Sequence, residues 1–208
     1  DITGSLGETA EPARAADPRR EVELTQERYR ANPKDAGAAL RYGKALRAVG
    51  QRSQAVAVLE QATIAHPSNK ALLAGYGRAL ADNGNFQQAF DVLARAHSPE
   101  DPDWRILSAQ GATLDQLGRY EEAAAAYDKL FLVEQNRKDA YCNQAYAYMK
   151  INETDAALLA FDRCTLLDPR NIEVWNNKGL TLMQAGKYDE ALSTFDRDVS
   201  VPRSLPQP

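Results

Sequence analysis

Residues 70–93 read KALLAGYGRALADNGNFQQAFDVL, and the fold is decided by how this stretch recurs along the chain. Glycine occupies its eighth position (Gly77) and its fifteenth (Gly84), and alanine its twentieth (Ala89). A frame of 34 residues, with units starting at Ala36, Lys70, Trp104, Lys138 and Ile172, places Gly43, Gly77, Gly111, Ala145 and Gly179 at position eight. The same frame places Ala55, Ala89, Ala123, Ala157 and Ala191 at position twenty. Self-similarity of this length marks a stacked array, because one short unit cannot bury its apolar face alone.

Glycine inside a helix costs about 1 kcal/mol relative to alanine, so its recurrence needs a packing reason. A crossing of the two helices of each unit at positions eight and twenty supplies one, since at the close end of the roughly 8–10 Å interaxial range no larger side chain fits. Large apolar residues alternate around these points and fill the core: Leu46, Leu80, Leu114, Tyr148 and Leu182 on the first helix, Leu59, Leu93, Tyr127, Phe161 and Phe195 on the second. Gly50, Gly84, Gly118, Asn152 and Gly186 fall at position fifteen, where the first helix must end in a left-handed residue. Pro67 and Pro169 close the second helix of their units. The third unit has Gln135 in that place and the second has Pro99 and Pro102 displaced around it, so two boundaries are weaker while the period holds.

The expected architecture is therefore all-α, with helix–turn–helix units over 36–69, 70–103, 104–137, 138–171 and 172–198. A stretch over 1–20, rich in Ala, Gly, Pro and charge without a period, reads as a flexible leader. A lone helix over 21–35 is expected to pack Val22, Leu24 and Tyr29 on the first unit, although its frame offers Glu21 where a small residue belongs. Residues 199–208, with Pro202, Pro206 and Pro208, read as a flexible tail that leaves the last unit uncapped. Self-association or partner docking through that fifth unit is the expected consequence.

The joint pattern from Ala36 to Asp198 closely resembles the tetratricopeptide-repeat (TPR) family. The resemblance implies a right-handed superhelical α-solenoid whose concave groove, lined by the first helices, holds a protein or peptide ligand, with neither catalysis nor a cofactor. In such repeats the concave positions are the second, fifth, sixth, ninth, twelfth and thirteenth. Here they give an early basic zone of Arg41, Lys44, Arg47, Arg78 and Arg105, with few acids beyond Asp82 and Asp115. They also give a late zone of Cys142, Asn143, Tyr146, Met149, Asn176, Asn177 and Met183. The basic zone can pair with acidic side chains or a C-terminal carboxylate of a partner, or be a solvated helix face. Asn143 and Asn177 share position six one unit apart, and an amide can donate to and accept from an extended peptide backbone at once. This resembles the asparagine ladders of peptide-binding TPRs. The carboxylate clamp of chaperone-binding TPRs is not matched: the corresponding places hold Leu40, Lys44, Gly75, Arg105 and Ala109.

Composition excludes other classes. A 44% hydrophobic share supports a substantial core. There are 17 basic against 19 acidic residues up to Arg137 and 8 against 10 after it, so neither part is a basic arm for nucleic acid. No apolar stretch is long enough for a transmembrane segment. Gly75-Tyr76-Gly77 hints at a phosphate loop, but Leu80 stands where a third glycine belongs and the segment is mid-helix. His66 and His97, near second-helix ends, are expected at the surface and bring no metal-ligand cluster. Cys164 at position twenty-seven is expected buried and Cys142 in the groove, which makes a disulfide between them doubtful. No nucleophile, base and orienting acid assemble at a defined spacing.

A narrower likeness covers about Leu40 to Tyr127. Its clearest stretch, residues 103–118 (DWRILSAQGATLDQLG), resembles the TadD family of Flp/Tad pilus-assembly lipoproteins. That resemblance implies a lipid-tethered protein on the periplasmic side of the outer membrane, with the lipid-bearing cysteine ahead of Asp1. The chain begins without Met or an apolar targeting core, so any targeting peptide is expected to have been removed or to lie outside this sequence. Beyond about Phe131 the units resemble generic TPRs, and both Met and both Cys lie there. Ordinary divergence and a hybrid chain joined from two sources both account for the change; a generic cytoplasmic TPR adaptor unrelated to pili is the alternative reading.

Overall fold

A computed structural model of the chain describes residues 17–199, which form eleven helices and no strand. A single helix, α1 (Pro18–Ala31), comes first. Five antiparallel pairs follow: α2 (Ala36–Ala48) with α3 (Arg52–Ala65), α4 (Lys70–Asp82) with α5 (Phe86–Ala96), α6 (Trp104–Gln116) with α7 (Tyr120–Val133), α8 (Lys138–Lys150) with α9 (Thr154–Leu167), and α10 (Ile172–Gln184) with α11 (Tyr188–Val199). The five first helices start 34 residues apart and each is 13 residues long.

Local chemistry sets these boundaries. Asp35, Asn69, Asp103 and Asn171 each precede a first helix and accept a hydrogen bond from a backbone N–H of its first turn, a cap worth about 1 kcal/mol. Arg137 holds that place before α8 and provides no such bond. At the other end the chain reverses through left-handed residues: Gly50, Gly84, Gly118 and Gly186 lie at φ of 76°, 84°, 72° and 74°, and Asn152 at 60°. Helix α1 begins inside the stretch read as leader, because Asp17 accepts from the Arg19 N–H and Pro18 suits a first turn that needs no N–H. The remainder of the expected leader, 1–16, and the expected tail from 200 onward lie outside the described residues.

Position eight is where the helices of a pair come closest, but its partner differs from the expected one. A Cβ placed on Gly43 would meet Leu59 Cγ at 2.5 Å, one on Gly77 Leu93 Cγ at 2.6 Å and one on Gly111 the Tyr127 ring at 2.6 Å; Gly179 is likewise covered by Phe195. The large residue at position twenty-four thus lies over the glycine, while the alanines at position twenty are buried beside it. Gly75 serves the joint between units instead, its missing side chain replaced by Leu40 Cδ1, 2.7 Å from where a Cβ would stand. Both glycines of the suspected phosphate loop lie inside α4 and are covered by leucines of α2 and α5.

Each second helix packs against the first helix of the next unit, and successive first helices (α2, α4, α6, α8, α10) touch one another, whereas successive second helices do not. The stack therefore curves with the first helices on its inner wall. Its core falls into three successive clusters, the first including Leu46, Leu59, Leu80 and Leu93, the second Tyr127 and Leu130 and the third Phe161, with Phe131 and Tyr148 packed against both of the last two. At the far end Phe195 is half-buried and Leu192 is 62% exposed, whereas at the same position of earlier units Ala124 is buried and Val56, Phe90 and Leu158 are half-buried. At the near end Val22 and Tyr29 pack on the first unit as expected, but Leu24 is 44% exposed and Thr25 is buried in its stead. Thr25 occupies position twenty-four of the frame, and its hydroxyl is satisfied by the Glu21 carbonyl at 2.7 Å. Glu21 is exposed, and among the described residues no helix crosses α1 there.

Candidate functional site

The inner wall carries two adjoining hollows, of about 660 and 460 Å³, that share Ala112 and Gln116 of α6. Together they make one trough.

The early hollow gathers Arg47 from α2, Arg78 from α4 and Arg105 from α6. Arg41 and Lys44, expected with them, are exposed and stand outside it, because positions six and nine of the first helix lie toward the open end of the stack. Arg47 Nε donates to Asp82 Oδ2 at 2.6 Å and so ties the first unit to the second. Arg105 lies 3.8 Å from Asp103, both well exposed, a pair of small worth. Among the described residues Arg78 makes no ion pair; its Nε donates to the Ala74 carbonyl at 3.4 Å. Burial of its guanidinium, with Arg47 beside it, lowers its pKa from the ordinary arginine value. The floor is apolar, formed by Ala81, Ala109 and Ala112 with Phe86 and Trp104. Sequence reasoning passed over Phe86 and Trp104; the signal was an aromatic at the start of a helix whose neighbours at the same level are small.

The late hollow holds Asn143 and Tyr146 of α8 and Asn177 of α10, with Cys142, Asp115 and Glu173. Asn176 is exposed and does not line it, and Met149 is half-buried while Met183 is 45% exposed. Tyr146 meets Tyr120 edge-on, with ring centroids 6.2 Å apart, and Lys150 stands over both rings. Tyr127 threads past Gly111 into this wall and donates its hydroxyl to Asp115 Oδ2 at 3.1 Å. Asn143 sits beside that hydroxyl, so its amide is partly engaged within the wall.

Burial raises the Asp115 carboxyl to about 6, against the relief given by the Tyr127 hydrogen bond, and its Oδ1 is shielded without a partner. The folded state consequently binds this proton more tightly than the unfolded chain. The stabilising contribution is complete below the ordinary carboxylate pKa and is lost as pH rises through about 6. Two pK units would correspond to about 3 kcal/mol, which partial solvation reduces to about 1–2 kcal/mol. Urea titrations at a series of pH values are expected to show the wild-type chain losing that amount relative to Asp115→Asn between about pH 4 and 6. Parallel curves for the two proteins would show that Asp115 is not desolvated.

Cys142 and Cys164 form a disulfide, with Cα atoms 5.0 Å apart, which overturns the expectation that one thiol points in and the other out. In an antiparallel pair, position five of the first helix lies level with position twenty-seven of the second. Cys142 is only half-exposed and packs on the same buried cluster as Cys164. His97 also departs from the surface placement: it is half-buried and its Nδ1 is shielded without a partner. His66 Nε2 lies 2.8 Å from the Lys34 carbonyl oxygen. Among the described residues no group of three or more His, Cys, Asp or Glu side chains is placed to hold a metal, and no helix is long and apolar enough to cross a membrane.

An all-helical stack of equal helix pairs with a trough along its inner wall defines the class of helical-repeat solenoids. The chain is built of tetratricopeptide repeats: residues 40–103 match the tetratricopeptide-repeat family model, and residues 116–198 match that of anaphase-promoting complex, cyclosome, subunit 3. Its fold is similar to that of YrrB, described as a TPR protein with an unusual peptide-binding site (18% identity, 88% of this chain and 94% of that one, TM-score 0.73). It is also similar to MamA residues 41-end from Desulfovibrio magneticus RS-1 (17% identity, 90% and 98%, TM-score 0.72) and to MamA from AMB-1 (20% identity, 91% and 95%, TM-score 0.70). No curated protein matches the sequence.

Proposed function

We propose that the chain is a non-catalytic scaffold that holds an extended segment of another protein in the trough. What carries this reading is the continuity of the two hollows across α6, which joins guanidinium groups at one end to amides and phenols at the other. An extended peptide needs such alternation, because its backbone groups must exchange water for donors and acceptors as they are buried.

Crosslinking with mass spectrometry in the source cell is expected to recover protein partners joined to inner-wall residues. Asn143→Ala with Asn177→Ala is expected to weaken capture of a recovered partner several-fold while moving the thermal midpoint little. Partners attached only to the outer wall would defeat the reading; full affinity in the double variant would remove the two amides from it. Light scattering on the same samples reads self-association through the fifth unit, for which the exposed Leu192 is the support, and a strict monomer at high concentration rejects that option.

The setting we propose is Flp/Tad pilus assembly or secretion, on the periplasmic side of the outer membrane. Its supports are the resemblance of residues 103–118 to TadD and the Cys142–Cys164 bond, since disulfides persist in oxidising compartments and are rare in the cytosol. Pilus-assembly proteins among the crosslinked partners would bear this out, and their absence would leave a general TPR adaptor.

A further inference from the structure

We infer that the early half of the trough is built for an acidic segment of a partner protein, with two carboxylate side chains flanking an apolar one. The inference rests on the trough being a binding groove and goes on to name what the early half selects. Arg47, Arg78 and Arg105 meet there, and the one carboxylate lining the hollow, Asp82, is already engaged by Arg47. Two guanidinium groups are left. Arg78 has spare N–H donors and no carboxylate partner among the described residues, and Arg105 holds Asp103 only at 3.8 Å. Burial, with Arg47 and Arg105 nearby, lowers the pKa of Arg78, and Asp103 and Asp82 offset this only in part, so its guanidinium is incompletely neutralised until a further anion arrives. Each remaining fork fits one carboxylate.

The hollow also carries an apolar patch beside Ser108, Thr113 and Gln116. Ala81, Ala109 and Ala112 keep the floor low, and Phe86 and Trp104 wall it, so a branched aliphatic side chain of the guest would lose water there. The late half sets the register. Asp115 and Glu173 line it with no Lys or Arg among its lining residues, so the same carboxylates shifted along the trough would meet repulsion.

Short random peptides displayed on phage and selected against the immobilised full chain test the inference. The expected consensus is acidic–apolar–acidic, and a synthetic consensus peptide should bind Arg78→Gln and Arg105→Gln at least about tenfold more weakly, the worth of a charged hydrogen bond. Arg41→Gln with Lys44→Gln, outside the hollow, should leave its affinity unchanged. Circular dichroism confirms that each variant is folded, and Arg105→Gln alters an exposed side chain should Arg78→Gln perturb the wall. A consensus without acids, a basic consensus bound in the late half, or acidic peptides indifferent to both arginine variants would overturn the inference while leaving groove binding intact. Selection of nothing by the wild-type chain would instead bring down the groove reading, and this inference with it.

Discussion

Gly77→Leu is expected to destabilise the chain by about 3 kcal/mol or more, at the upper end of what overpacking costs. A Cβ at residue 77 would stand 2.6 Å from Leu93 Cγ, 2.7 Å from its Cδ2 and 3.4 Å from its backbone nitrogen. Leu93 is fully buried, so its side chain has no solvent to retreat into, and the rest of the leucine would press on α5 itself. The two helices must part, which also withdraws α5 from α6 and opens the joint between the second and third units. Gly77→Ala should cost less but still destabilise, because its Cβ alone meets Leu93 Cγ at 2.6 Å while nothing beyond it presses on α5. Alanine improves helix propensity by about 1 kcal/mol, and Ala145 shows that a buried methyl at this position can be accommodated beside Phe161. Urea unfolding followed by circular dichroism checks both variants. A loss below about 1 kcal/mol for the leucine variant would mean that the pair can separate freely, and the packing account of position eight would be wrong.

The period was legible because it depends on residues whose backbone needs are independent of their surroundings. Only glycine, or asparagine at a modest cost, takes the left-handed corner, so Gly50, Gly84, Gly118, Asn152 and Gly186 announced the ends of the first helices without knowledge of any neighbour. The same holds for capping by Asp35, Asn69, Asp103 and Asn171, which is settled within a single turn. What a residue touches across the helix pair depends on rotation about two axes at once, which no single stretch of sequence carries. The frame pairs position eight with the small residue at twenty, whereas the side chain that fills its space comes from twenty-four, one helical turn further on. The site was legible to the same degree. Arg47, Arg78 and Arg105 were all placed on the inner wall by their positions, but only the curvature of the stack brings those three together and leaves Arg41 and Lys44 aside. Tyr127 reaching Asp115 required knowing both that the ring passes over Gly111 and that the carboxylate lies level with its tip.

Reducing the Cys142–Cys164 bond is expected to lower the stability of the chain by about 3 kcal/mol, the chain-entropy worth of a loop of this size. The two cysteines are 22 residues apart, so the bond closes most of the fourth unit into one loop and holds the start of α8 to the end of α9. An unfolded chain without that link gains conformations, while the folded unit keeps its packing, because Cys164 is fully buried in a cluster with Ala145, Ala157 and Phe161. Repeat arrays are stabilised unit by unit, so the loss should concentrate in the fourth unit and be seen as faster amide exchange over α8 and α9 than over α4 and α5. Asn143 follows Cys142 directly, and the late hollow should therefore loosen along with the unit that forms its wall. Urea titration with and without reductant measures the loss, and Cys142→Ser with Cys164→Ala supplies a control that reductant should not affect. A wild-type unfolding curve unmoved by reductant, with both thiols then titratable, would show that the bond contributes nothing to the fold and that the two helices hold their places by packing alone.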